Sequence, residues 1–431
     1  MQKKIYSSNL VAGMYVADLD RPWLGTPFWL QGFLIENDEH LMQLKQYCKF
    51  VMVDPALSTP NAQAAISAYG EKPGEIKPES TPPSDKPVSD DDDGGGLGIQ
   101  SSFIPDSIKL TPFRNVAAVE AELVPAENAY TRTSEVLGDL FKDLSSNKHI
   151  VIEAVEVVIQ DMVESMVRNP DALMLVSRLR QEDEAAYAHG LNVAIYLVAL
   201  GRHLSLPKDM LERLGTLGLL LDIGKTRLPR DLLRKEGRLN SEEFETVKSH
   251  VPICLDILKN TPDLHPEILE GIEQHHEREN GSGYPAGLSK GGISLFGRMA
   301  AIADTFSAMT NPRPYGEMVP AYEALQTLSN WGREYFHPPI VEQFIHAIGI
   351  FPVGSMVELS TGEVAVVISH NKVRRLKPRV LIISGKDKTP ALGPTTVDLM
   401  HPPATYEIPP TILSGLPNGA YGLNPREYYS G

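Results

Sequence analysis

The sequence predicts a mainly α-helical protein, in which a helical bundle is flanked by a small α+β domain and a short β hairpin. Between residues 113 and 345, apolar residues recur at spacings of three and four, the period of an amphipathic helix. After residue 350, apolar and polar residues alternate, which is the period of a strand. A stretch rich in Pro, Gly, Ser and Asp separates the bundle from the N-terminal residues.

Residues 1–65 have the pattern of a small α+β domain. Val11–Val16 and Phe50–Val53 are predicted strands, and Asp38–Gln46 is a predicted helix. The sequence of this domain contains no cluster of titratable side chains. We therefore expect it to regulate the protein or to bind signalling partners.

Residues 66–110 are predicted to form a disordered linker. Four consecutive aspartates, Asp90–Asp93, precede three glycines, and apolar residues are almost missing from the surrounding sequence. Such a segment cannot bury enough surface to offset the entropy cost of ordering it. The aspartates lack the regular ligand spacing of a calcium loop, so a solvated acidic tether is the favoured interpretation.

Residues 111–349 are predicted to form the helical bundle. Asn169 followed by Pro170 is typical of a helix start, with a cap residue and proline at the first position. Asn240 and Glu243 have the spacing of a capping box. One face of a single helix is formed by Val151, Val155, Val158, Ile159, Met162 and Met166.

Residues 350–400 are predicted to be β-rich. Met356–Leu359 and Val364–Ile368 flank a turn and form the predicted hairpin. Arg379–Ile383 is a candidate third strand. Residues 401–431 are rich in Pro, Gly and Tyr and are predicted to form a loosely ordered tail.

Composition restricts the partners and the compartment. The 431 residues carry 40 Lys and Arg against 55 Asp and Glu, a net charge of −15. This balance argues against duplex nucleic acid, whose binding depends on basic side chains that neutralise phosphates. The two cysteines cannot form a disulfide framework, and the apolar runs are shorter than the ~20 residues that span a bilayer. We expect a cytoplasmic protein that does not insert into membranes.

Imidazoles and carboxylates on the predicted helices indicate a metal centre. Facing helices of a bundle commonly build such sites from inward-pointing His and acidic residues. This donor set suits Fe, Mn, Zn or Ni, and a carboxylate can bridge two ions. Two ions can clamp the oxygens of a phosphodiester and lower the pKa of a bound water. Taken singly, each histidine is more commonly structural. The candidate ligands are His189, Asp222, His250, His275, His276 and Asp304.

A turn motif follows the histidine pair. Gly281, Gly283 and Pro285 predict a sharp turn at which backbone N–H groups can approach an anion. Such turns are common, but one placed directly after two histidines at a helix end is highly specific.

At this point the sequence resembles the HD-GYP family of metal-dependent cyclic dinucleotide phosphodiesterases. The resemblance is strong over residues 180–330, and the N-terminal domain is similar to a small domain of unknown function in one subgroup. It implies an HD-type helical bundle that hydrolyses cyclic di-GMP, or cyclic GMP-AMP, to the linear dinucleotide in bacterial signalling. The motifs that carry it are Asp222-Ile223-Gly224-Lys225, Val247-Lys248-Ser249-His250, His275-His276-Glu277, Gly281-Ser282-Gly283-Tyr284-Pro285, Ala303-Asp304 and Arg313-Pro314-Tyr315.

The resemblance also implies roles for these residues. His189, Asp222 and Asp304 would hold one metal. His250, His275 and His276 would hold a second, with Asp222 bridging the two ions, most commonly Fe or Mn. Glu184 would correspond to an acidic residue that helps a third metal in some members, although a solvated acidic face is the favoured interpretation.

On the substrate side, Lys225 would lie near a scissile phosphate oxygen, where its ammonium can neutralise charge during attack. Asp222 and Lys225 are thus the predicted catalytic residues. Arg313 would bind a phosphate, because a guanidinium suits bidentate contacts. The turn at Gly283, Tyr284 and Pro285 would also contact the substrate.

The sequence departs from the family pattern at several positions. Leu221 stands where the family has the His of its His-Asp pair, which removes one imidazole from the first metal. Glu279-Asn280 replaces a common Trp-Asp, and Glu317 stands where a basic residue is common. Two interpretations remain open: an active phosphodiesterase, or a catalytically degenerate protein that binds a cyclic dinucleotide or a signalling partner.

Overall fold

The structure is a computed structural model that describes most of the chain. The described residues are 3–20, 33–35, 38–55, 58–69, 103–146, 150–180, 188–259, 261–262, 264–311, 319–332, 334–371 and 374–428. The chain forms two compact units, Met1–Asp93 and Gly94–Gly431. Most of the predicted linker lies outside the described residues, and so do Glu184, Arg313, Pro314, Tyr315 and Glu317.

The N-terminal unit contains the predicted α+β domain. Its antiparallel sheet has the order β1-β4-β2-β3, and Ile5, Val16 and Val51 are fully buried in its core. The second helix crosses the boundary that the sequence predicted at residue 65. The elements are β1 (Lys3–Tyr6), β2 (Tyr15–Leu19), β3 (Phe33–Leu34), α1 (Asp38–Tyr47), β4 (Phe50–Val53) and α2 (Gln63–Tyr69).

The second unit is mainly helical, which confirms the predicted fold class. The Asn169 side chain accepts from the Asp171 backbone N–H, and Asn240 and Glu243 form the predicted capping box. No helix in the described ranges is long and apolar enough to cross a membrane. The helices are α3 (Val119–Ser145), α4 (Ile152–Arg168), α5 (Pro170–Leu179), α6 (Ala188–His203), α7 (Lys208–Leu220), α8 (Arg230–Leu233), α9 (Ser241–Lys248), α10 (His250–Leu258), α11 (Pro266–Gln274), α12 (Leu295–Thr310), α13 (Ala321–Trp331) and α14 (Pro338–Ile348).

Helix α6 lies at the centre of the bundle. All its residues from Gly190 to Gly201 are buried, so it is enclosed on every side. It packs closely on α7, because a Cβ atom on Gly218 would lie 2.4 Å from the Ala194 Cα. The two backbones can approach this closely only where a side chain is missing. This contact brings the N-terminal end of α6 next to the C-terminal end of α7.

A five-stranded antiparallel sheet follows the helices. The predicted hairpin and third strand are present as β5 (Met356–Leu359), β6 (Val364–Ser369) and β7 (Arg379–Ser384). The sheet also contains β8 (Pro390–Asp398) and β9 (Ile412–Leu416), in the order β8-β7-β6-β5-β9. The prediction of a loosely ordered tail over 401–431 is therefore wrong for β9. This short strand pairs with β5 more than fifty residues earlier, and such a pairing leaves no local pattern.

Candidate metal centre

The six predicted ligands converge in two groups. His250, His275 and His276 form one group, and His189, Asp222 and Asp304 form the other. Within each group, one potential ligand atom from each residue lies within 4.8 Å of the others. Four of these six residues are buried, namely Asp222, His250, His275 and Asp304.

The helix ends explain why these residues meet. His189 lies in the first turn of α6, Asp222 follows the C-cap residue of α7, and His250 begins α10. The turn after Asp222 packs tightly on α10, because a Cβ atom on Gly224 would lie only 2.0 Å from the His250 carbonyl oxygen. A glycine at position 224 therefore allows Asp222 and His250 to approach each other.

The buried imidazoles are oriented by the backbone. The Nδ1 of His250 lies 2.6 Å from the Val247 carbonyl oxygen, and the Nδ1 of His275 lies 2.6 Å from that of Ile272. A carbonyl can only accept, so both Nδ1 atoms carry the proton and both Nε2 atoms present a lone pair. These Nε2 atoms and the Asp222 Oδ1 are buried and have no hydrogen-bond partner among the described residues. Buried polar atoms are rarely left this way, and a shared cation would satisfy all three.

The two carboxylates lie between the groups. Asp222 Oδ1 is 3.4 Å from His250 Nε2, whereas its Oδ2 is 3.7 Å from His189 Nε2. Asp304 is arranged similarly, with Oδ1 2.8 Å from His189 Nε2 and Oδ2 4.0 Å from His276 Nδ1. Each carboxylate thus directs one oxygen to each group. Asp304 is as well placed as Asp222 to bridge two ions, which the sequence did not predict.

The protonation states suit a cation site. Burial would raise the pKa of Asp222, but Lys225, His250 and His189 together hold this pKa well below its usual value. Burial opposes ionisation of Asp304 too, but the hydrogen bond and charge of His189 keep its pKa low. Burial lowers the pKa of His275 to about 4. The carboxylates are therefore charged and His275 is neutral near pH 7, which are the forms that bind metals.

The predicted turn packs directly against the ligands. A Cβ atom on Gly283 would lie 2.5 Å from both the Glu277 Cα and the His276 carbonyl oxygen, so only glycine fits here. The Tyr284 ring stacks on the His276 ring, with centroids 4.5 Å apart. The buried Glu277 carboxylate accepts from the backbone N–H groups of Ala286 and Leu288, at 2.7 and 2.9 Å. Glu277 thus anchors the far side of the turn.

Two side chains near the ligands were not predicted from the sequence. In the sequence Glu277 is recognisable only as part of a motif, because its role depends on the path of the following loop. Ser307 lies three residues after Asp304 on α12, and its Oγ is 3.0 Å from the Nδ1 of His189. The spacing of three places Asp304 and Ser307 on one helix face, which is the signal that could have identified Ser307.

The structure describes Leu221 and Glu279, two of the residues at which the sequence departs from the family pattern. Leu221 is fully buried at the end of α7. Glu279 forms an ion pair with Arg298, with Oε1 and Nε 2.6 Å apart and both side chains largely buried. Its charge is therefore compensated within the protein. Lys225 donates to Asp222 Oδ2 at 2.6 Å and remains partly exposed at the edge of the centre.

Comparison with protein families identifies two regions. Residues 170–340 match the model of an HD domain, and residues 2–155 match a domain of unknown function, DUF3391. The first region contains all six candidate ligands.

Similar curated proteins are phosphodiesterases. A cyclic di-GMP phosphodiesterase of Pseudomonas aeruginosa is 31% identical over 90% of this chain and 87% of that protein. A cyclic di-GMP phosphodiesterase of Thermotoga maritima is 40% identical over 29% of this chain and 34% of that protein. The 3'3'-cGAMP-specific phosphodiesterase 1 of Vibrio cholerae is 34% identical over 33% of each chain.

Proposed function

The chain belongs to the HD-GYP family of cyclic dinucleotide phosphodiesterases, and on this premise we propose that it hydrolyses a cyclic dinucleotide to the linear form. Catalysis is supported by three buried atoms that could each coordinate a metal and that have no hydrogen-bond partner among the described residues. These atoms are Asp222 Oδ1, His250 Nε2 and His275 Nε2. A centre that had lost its metals would have no reason to keep such atoms unpaired in the interior.

Two divalent transition metals, Fe or Mn, are the proposed cofactors. His189, Asp222 and Asp304 would hold one, and the group of His250, His275 and His276 would hold the other. When bound, the ions would lower the pKa of a water and stabilise the charge on the phosphate oxygens. The neutral His275 imidazole and the ionised carboxylates fit this donor role, because imidazole and carboxylate together suit ions of intermediate hardness.

Local charge explains how an acidic protein can bind an anionic substrate. Two carboxylates and the Lys225 ammonium give the centre a charge of −1, and two divalent ions would change this to +3. The centre would thus be positive although the whole chain has a net charge of −15. Lys225 lies at the exposed edge of the centre and donates a hydrogen bond to Asp222. When a substrate binds, the Lys225 ammonium could donate to a phosphate oxygen instead.

Substrate contacts are proposed at the turn and beyond it. Gly283, Tyr284 and Pro285 lie beside His276, so a phosphate at the centre would be adjacent to this turn. Arg313 is proposed as a further phosphate contact on the basis of the motif alone. Cyclic di-GMP is the favoured substrate, because the relative that is similar over most of the chain is named for it. Cyclic GMP-AMP is the alternative.

The N-terminal unit is proposed to regulate this activity by binding a signalling partner. Its described side chains contain no cluster that could hold a metal. The chain's cysteines are buried thiols, which fits a reducing compartment, and we propose a cytoplasmic location.

The proposal is tested by metal analysis combined with hydrolysis assays. We expect two transition metals per chain, and conversion of cyclic di-GMP to the linear dinucleotide with Mn²⁺ or Fe²⁺, resolved by chromatography beside cyclic GMP-AMP. Asp222→Ala should abolish turnover, because it removes a ligand that faces both groups. Asp209→Ala, which removes an exposed carboxylate paired with Arg213 on α7, is the control.

Two results would contradict the proposal. A wild-type protein that binds no metal would contradict the proposed cofactors. Unchanged turnover in Asp222→Ala would contradict the assignment of Asp222 as a metal ligand. Binding of the cyclic dinucleotide with no turnover under any metal would instead support the degenerate interpretation.

A further inference from the structure

His189 is held differently from the two buried histidines of the other group. His250 and His275 each donate from Nδ1 to a backbone carbonyl three residues earlier, at 2.6 Å. No substitution can remove such an acceptor. The Nδ1 of His189 lies instead 3.0 Å from a side-chain atom, the Ser307 Oγ. The orientation of His189 therefore depends on the identity of residue 307.

Ser307 is itself held by a chain of polar side chains. The Asn311 Nδ2 donates to the Ser307 Oγ at 2.8 Å, and the Asn192 Nδ2 donates to the Asn311 Oδ1 at 3.3 Å. The Ser177 hydroxyl donates in turn to the Asn192 Oδ1. Ser177, Asn192 and Ser307 are almost fully buried, so water does not compete for these bonds. The chain links α5, α6 and α12 behind the metal centre.

Two residues of α12 contact the two ring nitrogens of His189. Asp304 Oδ1 lies 2.8 Å from Nε2, and one turn later Ser307 Oγ lies 3.0 Å from Nδ1. If Nε2 coordinates a cation, Nδ1 must carry the proton and donate it to Ser307. The serine oxygen can accept this bond, so the contact supports the metal-binding tautomer and fixes the direction of the ring.

We propose that Ser307, supported by Asn311 and Asn192, is a positioning residue that sets the affinity of one metal, the one held by His189. This inference rests on the two-metal function proposed above. Among the described residues, the group around His189 has a single histidine, since Leu221 offers no ligand atom, whereas the other group has three. Of the three described residues in this group, a misdirected His189 would leave its metal the two carboxylates. The first metal should therefore be the more weakly held and the one that responds to residue 307.

The test is metal stoichiometry in Ser307→Ala. We expect affinity for one of the two metals to fall by about 10- to 100-fold, the usual loss when an outer partner of a ligating histidine is removed. Dialysis against Mn²⁺ buffered at graded free concentrations, followed by elemental analysis, should show two ions in wild type and one in the variant. The absorption spectrum of Co²⁺-loaded protein should lose the component of one site and keep the other.

Three further variants separate positioning from general damage. Thr310→Val removes an equally buried hydroxyl that donates to the Phe306 carbonyl on the same helix, and it should bind metal like wild type. Ser307→Thr keeps the hydroxyl and should restore most of the affinity. Asn311→Ala leaves Ser307 in place but removes its support, so a smaller loss is expected. If Ser307→Ala does not fold, Asn311→Ala provides the same comparison.

The outcomes distinguish this inference from the proposed function. Two metals in wild type, with unchanged affinities in Ser307→Ala, would overturn the inference and leave the function intact. Equal weakening of both metals, or an equal loss in Thr310→Val, would also overturn it. A wild-type protein that binds no metal would instead overturn the function on which the inference rests.

Discussion

At the scale of single residues, the replacement of an imidazole by Leu221 is the main departure from the family pattern. Leu221 precedes Asp222 directly and is fully buried, so it adds an apolar surface beside a carboxylate. His189, Asp222 and Asp304 remain as possible ligands of that metal. Three protein ligands are sufficient for many catalytic sites, in which water occupies the remaining positions. The substitution should therefore weaken the first metal without removing it.

This argument predicts the effect of restoring the histidine. Leu221→His should raise affinity for the first metal by at least about tenfold, comparable to the loss when a ligand's outer partner is removed. Titration with Mn²⁺ against a competing chelator measures the change. Leu221→Asn, which buries a polar group without an imidazole, is the control and should not raise affinity. A lower affinity in Leu221→His would show that the neighbouring side chains have adapted to leucine.

The residues of the centre differ in how readily they can be predicted from the sequence. The six candidate ligands could be predicted because few residue types bind metals and their motifs lie at helix ends. Ser307 and Glu277 could not, because serine and glutamate are common on helices and loops. Their roles depend on the rotation of α12 and on the path of the loop back to Leu288.

At the scale of elements, the contact between α10 and the turn after α7 positions His250. A Cβ atom at Gly224 would lie 2.0 Å from the His250 carbonyl oxygen and 2.8 Å from the Cys254 backbone nitrogen. Both are backbone atoms, so no side-chain rotation can relieve the overlap. A substitution at this glycine must move α10 as a unit and carry His250 away from Asp222.

Gly224→Ala should therefore damage both stability and metal binding. We expect the free energy of unfolding to fall by about 1–3 kcal/mol, the typical cost of overpacking a well-packed interior. The metal held by His250 should be lost first. Gly291→Ala is the control, because a Cβ there would meet nothing within 4 Å. Urea unfolding and elemental analysis measure the two effects, and a variant equal to wild type would contradict the packing argument.

The elements also differ in how well the sequence predicts them. The helices were predictable because an apolar face repeats within one helix and cap residues mark the ends, as at Asn169 and Asn240. Strand β9 was not, since Ile412 is its one buried residue and Gly415 interrupts the pattern. The strand is stabilised by pairing with β5, a contact that exists only in the folded chain.

At the scale of the second unit, buried polar side chains attach the C-terminal sheet to the bundle. Asp171 on α5 accepts from the His370 backbone N–H and from its Nδ1, at 2.9 and 3.0 Å. Arg375 donates to the His346 carbonyl oxygen at 2.9 Å. His203, at the end of the helix that carries His189, stacks on His346 with centroids 5.9 Å apart. The bundle and the sheet are therefore coupled through histidines and arginine as well as through apolar contacts.

Two of these histidines, His203 and His346, should make stability depend on pH. Burial, and next the charge of Arg375, lower the pKa of His203 to about 4 and that of His346 to about 3. In the unfolded chain both histidines have a pKa of about 6.5. Between these values the unfolded chain binds protons that the folded chain does not. Stability therefore falls as pH decreases below about 6.5, by up to roughly 1.4 kcal/mol per pH unit for each histidine.

Urea unfolding at several pH values between 7 and 5 would measure this dependence. His203→Gln should make this dependence shallower, because glutamine does not titrate and its amide can still donate to Gln343, which now accepts from His203 Nε2. His401→Gln is the control, since this side chain is 74% exposed and should contribute little. A His203→Gln variant whose stability falls with pH as steeply as wild type would show that the stacked pair is not the proton-linked contact. Acid sensitivity would then have to arise elsewhere in the unit, and the attachment of the sheet would depend mainly on its apolar contacts.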